Sequence, residues 1–350
     1  MKISVCMIVK NEEEHLPRSL SSIPTTYETI VIDTGSTDRS IDIAKNKGAT
    51  VIHHTWTDDF SAARNLSLQH ATGDYILVLD ADEELCTDIE QQVEDYLQIC
   101  EQRVGSVIIE NVNDNESTRH RTSRIFPSQN GYRYVGVVHE QLESIDNIAG
   151  QEVDTNILIY HYGYTAEEYK KKDKYNRYSQ LYLKILENDK NNGYMLYQLG
   201  KLHYSNKNYS DAYKAYIASM ELGQFGHYYF PVMLVQLAYT LKELGFANEA
   251  IELISPFIDQ YPRFPDLPFV LGVLSMEVGN FQQMDRYYKL ALSIGDTDKY
   301  TTVVGTGTFR AAHNLGVYYE LLNQMSDAAS YYSYAAQYHF KPSIERLSKL

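Results

Sequence analysis

The chain has 350 residues, 44% of them hydrophobic, and a formal net charge of −15 from 46 acidic and 31 basic residues. The hydrophobic share is typical of a folded protein and excludes a disordered one. The acidic balance argues against a nucleic-acid-binding protein, because phosphate backbones require basic surfaces. Three cysteines without metal-ligand spacing, no leader-like start and no long apolar run predict a cytoplasmic protein with no transmembrane segment.

Apolar runs alternate with helical patterns through the first half of the chain. This alternation predicts βα units built around a parallel sheet. Three of the runs end in polar turns, which puts candidate ligand-binding residues at the carboxyl edge of that sheet. The predicted strands are 3–9, 29–32, 49–52 and 76–79. A helix is predicted to begin at the acidic residues 12–14, and another is predicted over 60–70.

The most informative stretch is the run that ends at Leu79 and continues directly into acidic residues. If the chain turns there, Asp80 and Asp82 converge on one point, and two such carboxylates suit Mg²⁺ or Mn²⁺. An acidic helix start, in which the carboxylates are favoured by the helix dipole, is the alternative interpretation.

Four segments of the first half occur in a characteristic order: Val5–Glu12, Val31–Asp38, Ala63–Asn65 and Leu79–Glu83. Together they resemble the motifs of family-2 glycosyltransferases of GT-A fold. The resemblance implies a Rossmann-like α/β domain with a mostly parallel sheet over residues 1–165. It also implies that the domain binds a nucleotide-diphospho sugar. A UDP-sugar is the family expectation, and guanosine and thymidine forms stay open.

The resemblance assigns the donor site to residues of these motifs. Ile8 and Val9 would flank the base, Asp33 would hydrogen-bond a pyrimidine imide, and Glu12 and Arg64 would lie near the nucleotide. An Asx-type turn at Asp33 and a paired helix charge at Arg64 are the structural alternatives. The expected nucleotide-sugar-binding set is Ile8, Val9, Asn11, Glu12, Asp33, Ser36, Arg64, Asp80, Ala81 and Arg124.

The resemblance also implies a metal site. Asp82 would bind the metal, and Asp80 would contact the ribose or a metal-bound water and is included in the ligand set. His161 follows a strand-like run and looks like the late histidine that returns to the metal in several GT-A enzymes. A core histidine is the alternative at that position. The expected cofactor, Mg²⁺ or Mn²⁺, would screen the donor's negative charge inside an acidic protein.

Two further candidates follow in the chain. Transfer of a sugar with inversion needs a base, and Glu140 in Gly136-Val-Val-His-Glu140 is the candidate, in a block that resembles one found in this branch of glycosyltransferases. His139 would orient Glu140 or pack beside it, with the two facing opposite sides of a strand. A satisfied histidine beside a strand-end acid is the alternative. Arg124, which we expect to face the same way as Arg119 and Arg121, suits an anion.

The second half has a helical period and internal repeats. A charged connector is expected over 166–190 and repeats over 191–350. The recurring pairs lie 38, 34 and 44 residues apart, a period that resembles tetratricopeptide repeats and predicts an all-α solenoid of helical pairs. Tyrosines of the first repeat would pack between helices or grip a polypeptide. The pairs are Leu199-Gly200, Leu237-Ala238, Leu271-Gly272 and Leu315-Gly316.

These features predict a metal-dependent, inverting glycosyltransferase. A GT-A domain followed by tetratricopeptide repeats resembles the bacterial hexosyltransferases that glycosylate bacteriocin peptides, which implies a Cys or Ser side chain of a peptide or protein as acceptor. A cell-envelope glycan or lipid-linked saccharide is the rival acceptor. A catalytically inactive repeat scaffold is the alternative from another class. A homodimer through the helical repeats is a further expectation.

Overall fold

The computed structural model describes residues 1–99, 102–112, 117–145, 152–162 and 174–350. The chain divides into two compact units, Met1–Asn115 with Arg121–Glu168 and Glu116–His120 with Tyr169–Leu350. The first part of the predicted connector, 166–173, lies outside the described residues, and its second part belongs to a helix over Lys174–Asn188.

The first unit is built on a parallel core of four strands. Three of them are apolar and largely buried, because both faces of a parallel sheet are covered in an α/β fold. The spatial order is β3-β2-β1-β4, so the chain moves outward from β1 and then returns to pair β4 on its other side. The strands are β1 (Ile3–Val9), β2 (Glu28–Asp33), β3 (Thr50–His53) and β4 (Tyr75–Val78).

Helices connect these strands and cover the sheet. The helix predicted over 60–70 is present with those bounds, and the Asp59 side chain caps it by accepting a hydrogen bond from Ala62 N at 3.1 Å. The acidic stretch 12–14 forms a turn ahead of the first helix and does not begin that helix. The helices are α1 (Leu16–Ser22), α2 (Ser40–Asn46), α3 (Phe60–His70) and α4 (Ile89–Ile99).

Further strands extend the sheet, whose full order is β3-β2-β1-β4-β7-β6-β10-β5. β4 and β7 are antiparallel, as are β10 and β5, whereas β10 and β6 are parallel. This mostly parallel sheet confirms the predicted α/β class of the first domain. The added strands are β5 (Glu83–Leu85), β6 (Gly105–Asn111), β7 (Thr118–Pro127) and β10 (Val153–His161).

A separate antiparallel hairpin consists of β8 (Tyr132–Val135) and β9 (Gln141–Ser144). The expectation of a strand through His139 and Glu140 is wrong, because both residues lie in the turn between β8 and β9. Gly136 with φ of 108° and His139 with φ of 51° take left-handed conformations that end the strand.

The second unit confirms the predicted helical region. Helices pair across short turns, as predicted for tetratricopeptide-type repeats. A two-residue strand, β11 (Thr302–Val303), pairs with Arg119 and Thr118 within this unit. The helices are α5 (Lys174–Asn188), α6 (Gly193–Ser205), α7 (Tyr209–Glu221), α8 (Tyr229–Glu243), α9 (Ala247–Ile254), α10 (Asp266–Glu277), α11 (Phe281–Ile294), α12 (Phe309–Leu321), α13 (Met325–Ala336) and α14 (Lys341–Leu347).

A recurring glycine–tyrosine contact explains the Leu-Gly pairs of the repeats. A Cβ at Gly200 would lie 2.4 Å from the ring of Tyr216, and the same contact recurs between Gly272 and Tyr288 and between Gly316 and Tyr332. All three tyrosines are fully buried, and Tyr216, the one that belongs to the first repeat, packs between helices as expected. The glycine on one helix therefore makes room for a ring from the next.

In the described part of the chain, no helix combines the length and the apolar character needed to cross a bilayer.

Candidate active site

The candidate site lies where three parallel strands end. β1 ends at Val9, β2 at Asp33, and β4 at Val78, two residues before Asp80. Because β1 lies between β2 and β4, this edge is the point at which the strand order reverses. Open α/β sheets bind ligands in the crevice outside such a point. The sheet topology therefore brings the predicted donor residues of three motifs to one edge.

Asp33 organises the turn after β2. Its carboxylate accepts hydrogen bonds from the backbone N–H of Gly35 at 3.2 Å and of Ser36 at 3.1 Å, an Asx-type turn. The ring of His53, at the end of β3, lies 3.3 Å from Asp33 Oδ2. Asn11 links this turn to β1, because its backbone N–H donates to Ser36 Oγ at 3.0 Å. These contacts hold the two predicted motifs side by side.

The other residues of the first motif divide between the core and the turn. Val9 is buried in the core, whereas Ile8 is partly exposed. Successive side chains of a strand point to opposite faces, so the two residues differ in exposure, and their position beside the base stays a prediction. The backbone N–H of Glu12 donates to Ser40 Oγ at 2.8 Å, and Ala81 is buried beside the acidic residues.

Five charged side chains form an alternating chain across the site. Arg64 Nε donates to Glu140 Oε1, and Arg64 Nη2 donates to Asp80 Oδ1 at 2.8 Å. Arg124 Nη2 donates to Asp80 Oδ2 at 2.9 Å and to Glu83 Oε1 at 3.1 Å. Glu83 is 2% exposed and also accepts the backbone N–H of Asp80 at 2.7 Å. Alternating signs let charges of low exposure compensate one another.

The protonation states follow from these contacts. Burial opposes ionisation of Asp80, but Arg124 and Arg64 hold its pKa well below the ordinary value. Burial opposes the charge of Arg64 and Arg124, and their carboxylate partners keep both pKa values raised. For Glu83, burial dominates and raises the pKa. Asp80 is therefore a fixed anion between two fixed cations.

The predicted metal ligands do not form one group. His161 Nε2 lies 3.4 Å from Asp82 Oδ1, but both oxygens of Asp80 accept hydrogen bonds from arginines. Within the ranges that the structure describes, no group of three or more His, Cys, Asp or Glu side chains is arranged to hold a metal ion. Asp80 is therefore engaged by Arg64 and Arg124 in this structure, and its place in the ligand set stays a prediction.

The remaining pair fits a divalent cation. His161 Nδ1 lies 2.7 Å from Asn111 Oδ1, and an amide oxygen there holds the proton on Nδ1 and orients Nε2 toward Asp82. Burial lowers the pKa of His161, but the contact with Asp82 outweighs it and raises the pKa. One carboxylate and one imidazole would leave the other coordination positions to water and donor phosphates.

The base candidate is held beside the donor residues by helix α3. Glu140 lies in the turn of the β8–β9 hairpin and reaches Arg64 on this helix. The next residue of the helix, Asn65, donates to Tyr134 O at 2.9 Å and accepts from Tyr134 N at 2.7 Å. No role was expected of Asn65, although it is the last residue of the Ala63–Asn65 motif.

Two other features differ from the sequence analysis. Glu83 and Asn111 support Asp80 and His161, and neither was predicted as a site residue. Arg121 does not face the site with Arg124, because its Nη1 donates to the backbone oxygen of Thr155 at 2.9 Å. The two arginines stand at positions of opposite parity on β7, so their side chains leave opposite faces.

Comparison with known proteins identifies the first domain. The profile of the family described as "Glycosyl transferase family 2" matches residues 4–150. A TPR repeat-containing protein of Synechococcus elongatus is 36% identical over 209 residues, which are 57% of this chain and 52% of that protein. The SPbeta prophage-derived glycosyltransferase SunS of Bacillus subtilis is 29% identical over 216 residues, 59% of this chain and 50% of SunS.

The chain spans about half the length of these curated relatives. Among solved structures, S. aureus TarS 1-349 is similar at 16% identity and a TM-score of 0.37, over 69% of this chain and 88% of that chain. The expectation of a family-2 domain ahead of a tetratricopeptide-type region is confirmed by the profile match and the paired helices. The model of glycosyl transferase family 2 thus matches the domain that carries the candidate site, and a tetratricopeptide-type region of paired helices follows it in the chain.

Proposed function

We propose that the chain is an inverting glycosyltransferase that moves a sugar from a nucleoside-diphosphate donor to a nucleophilic side chain of a peptide or protein. The observation that carries this proposal is the contact of one arginine, Arg64, with both Asp80 and Glu140. It joins a residue at the expected donor edge to the only carboxylate of the hairpin turn 136–140.

The donor would bind at the carboxyl edge of β1, β2 and β4. Asp33 and Ile8 are proposed for the base, and Arg64 for the diphosphate. Within the described part of the chain, the buried Nη1 of Arg64 and the hydroxyl of Tyr134 have no hydrogen-bond partner. A buried N–H or O–H group without a hydrogen-bond partner costs free energy. Oxygen atoms of a bound sugar nucleotide would accept hydrogen bonds from these two groups. UDP is the proposed nucleotide, on the resemblance alone.

The reaction needs one base and one leaving group. The acceptor O–H or S–H would lose its proton to Glu140 as its oxygen or sulfur forms a bond to the anomeric carbon. The bond from that carbon to the donor's phosphate oxygen breaks on the opposite face, and the nucleoside diphosphate departs with the electron pair. His139, next to Glu140, is proposed to shape the acceptor side.

Asp82 and His161 would hold Mg²⁺ or Mn²⁺. When bound, the cation would neutralise charge that develops on the departing diphosphate. The peptide acceptor rests on the pairing of the family-2 domain with a tetratricopeptide-type region, and the dimer and the cytoplasmic location stay predictions.

The test is a turnover panel of UDP-glucose, UDP-N-acetylglucosamine, GDP-mannose and dTDP-rhamnose. Release of the nucleoside diphosphate, with water receiving the sugar, is measured with Mn²⁺ and with a chelator, for the wild type and for Glu140→Gln and Asp82→Asn. We expect metal-dependent turnover of one donor and a loss of about 100-fold or more in kcat for Glu140→Gln. A folded wild type that turns over none of the donors would instead support the inactive scaffold.

A further inference from the structure

The hairpin that carries the base candidate lies outside the main sheet. β8 and β9 pair only with each other among the described strands, so no ladder of backbone hydrogen bonds fixes the hairpin to β4 or β7. The position of Glu140 relative to the donor edge therefore depends on contacts of the hairpin with other elements.

Helix α3 supplies such contacts from one face. Asn65 bonds both backbone groups of Tyr134, at 2.7 Å and 2.9 Å, along the edge of β8 that faces away from β9. At the start of the same helix, the Phe60 N–H donates to the backbone oxygen of Val137 at 3.0 Å, within the turn that leads to Glu140. Two residues of one helix thus hold both the strand and the turn of the hairpin.

Asn65 also follows Arg64, the residue that contacts Glu140 and Asp80. Consecutive residues of a helix have a fixed relative position. The same backbone segment therefore positions both the Arg64 guanidinium and the β8–β9 hairpin. An asparagine suits this position because its amide offers one acceptor and one donor, which match a strand's N–H and C=O.

We infer that Asn65 is a positioning residue of the transfer reaction: its amide fixes the β8–β9 hairpin to helix α3 and sets Glu140 at its distance from Arg64 and Asp80. This inference rests on the proposed role of Glu140 as the base. Asn65 touches neither donor nor acceptor in this account and acts through Glu140.

Two independent variants weaken the attachment. Asn65→Ala removes both hydrogen bonds to Tyr134. Phe60→Pro removes the N–H that Val137 accepts, and proline is tolerated at this first helical position because the preceding Asp59 is extended, with φ of −133° and ψ of 105°. Both Phe60→Pro and Phe60→Ala remove the phenyl ring and its contact with Trp56. Phe60→Ala keeps the backbone N–H and is therefore the matched control.

We expect Asn65→Ala and Phe60→Pro to lower kcat by roughly 10-fold to 100-fold, because a small misplacement of a catalytic group has an effect of that size. The apparent KM for the sugar nucleotide turned over in the panel above should stay unchanged. Phe60→Ala should keep most of its activity, and so should Asn188→Ala, which loses one side-chain hydrogen bond to Lys184 O in the second unit.

A double-mutant cycle separates positioning from general stabilisation. In the Glu140→Gln background, Asn65→Ala should change kcat by less than about 2-fold, because the group that it positions is already gone. Hydrogen–deuterium exchange in peptides over 132–144 should speed up in Asn65→Ala and remain at the wild-type rate in Asn188→Ala.

The outcomes distinguish this inference from the proposed function. If Glu140→Gln keeps the wild-type kcat, the base assignment is wrong, and the inference falls with it. If Glu140→Gln loses activity but Asn65→Ala and Phe60→Pro do not, only the positioning role is wrong. The positioning role would also be wrong if Asn65→Ala lowered kcat by the same factor in the Glu140→Gln background as in the wild type.

Discussion

The Nη2 atom of Arg64 lies 2.8 Å from Oδ1 of Asp80, a residue sixteen positions along the chain at the end of the next strand. The same guanidinium reaches Glu140 through Nε. A planar fork can contact two carboxylates at fixed angles, whereas an ammonium is a point charge. The geometry at this edge thus depends on an arginine and not only on a positive charge.

Arg64→Lys should therefore lower kcat/KM for the sugar nucleotide by roughly 10-fold to 100-fold while the protein stays folded. Steady-state kinetics and a circular dichroism spectrum measure the two effects. Arg346→Lys is the control, because Arg346 Nη1 likewise contacts two carboxylate oxygens, both of Glu320, within the second unit. Equal kinetics for Arg64→Lys and the wild type would rule out the bridging role.

Asn111→Leu should weaken Mn²⁺ binding. The substitution removes the amide oxygen 2.7 Å from His161 Nδ1, and loss of such an outer partner typically costs about 10-fold to 100-fold in metal affinity. Electron paramagnetic resonance of free Mn²⁺ gives the affinity without any turnover. Asp82→Asn should weaken binding as well, and Asn188→Leu serves as the control. Unaltered Mn²⁺ affinity in both site variants would exclude the Asp82–His161 pair as the metal site.

Gly272→Ala should destabilise the repeat region, because the new Cβ would lie 2.6 Å from the buried ring of Tyr288. Alanine has a better helix propensity than glycine, but the cost of overpacking is larger. The free energy of unfolding should therefore fall by roughly 1–2 kcal/mol. Gly226→Ala is the matched control, because a Cβ at Gly226 meets nothing within 4 Å. Urea-induced unfolding provides the measurement.

The second repeat suggests a compensating change. There Ala238 and Ile254 occupy the positions of the glycine and the tyrosine, and both are fully buried. Adding Tyr288→Ile to Gly272→Ala should therefore cost less than the sum of the two single changes. Strictly additive losses would show that these residues do not pack as a pair.

Asp266 should make stability pH-dependent. It is 4% exposed, and burial raises its pKa from 3.8 to about 6, although Thr302 Oγ1 and the backbone N–H of Val303 donate to its carboxylate at 2.6 Å and 3.0 Å. The folded state holds this proton more tightly than the unfolded state. The associated stabilisation is complete below pH 3.8 and is lost as the pH rises to about 6.

For a pKa shift of this size, the free energy of unfolding should fall by roughly 3 kcal/mol, which corresponds to roughly 6–12 °C in Tm. Thermal unfolding from pH 4 to pH 7 should show it in the wild type relative to Asp266→Asn, which cannot titrate. Asp259→Asn, at an exposed position, should follow the wild type. A constant Tm difference between the wild type and Asp266→Asn across this range would contradict the raised pKa.

The sequence was sufficient for features that depend on local pattern. Apolar runs predicted β1 to β4, and helix α3 has the predicted bounds because Asp59 caps it and His70 ends it. The parallel sheet then brings Asp33 and Asp80 to one edge, so their proximity follows from topology.

What the sequence could not give is the choice of partner for each charge. Only Ala81 separates Asp80 from Asp82, yet the fold gives them different partners: Arg64 and Arg124 pair with Asp80, whereas His161 faces Asp82. His139 and Glu140 were expected on a strand, whereas Gly136 and His139 take left-handed conformations in the turn after β8. The spacing of sixteen residues from Gly200, Gly272 and Gly316 to a tyrosine is a sequence signal for this contact, and it was not among the predictions.

The most direct test of the account is calorimetric titration of UDP, GDP and dTDP with Mn²⁺ into the wild type and Asp33→Asn. The account predicts that one nucleotide, with UDP favoured, binds the wild type and that Asp33→Asn weakens this binding by about 10-fold or more. Binding that is equal in both proteins would contradict the proposed base site. The absence of binding by any nucleotide to a folded wild type would contradict the glycosyltransferase itself.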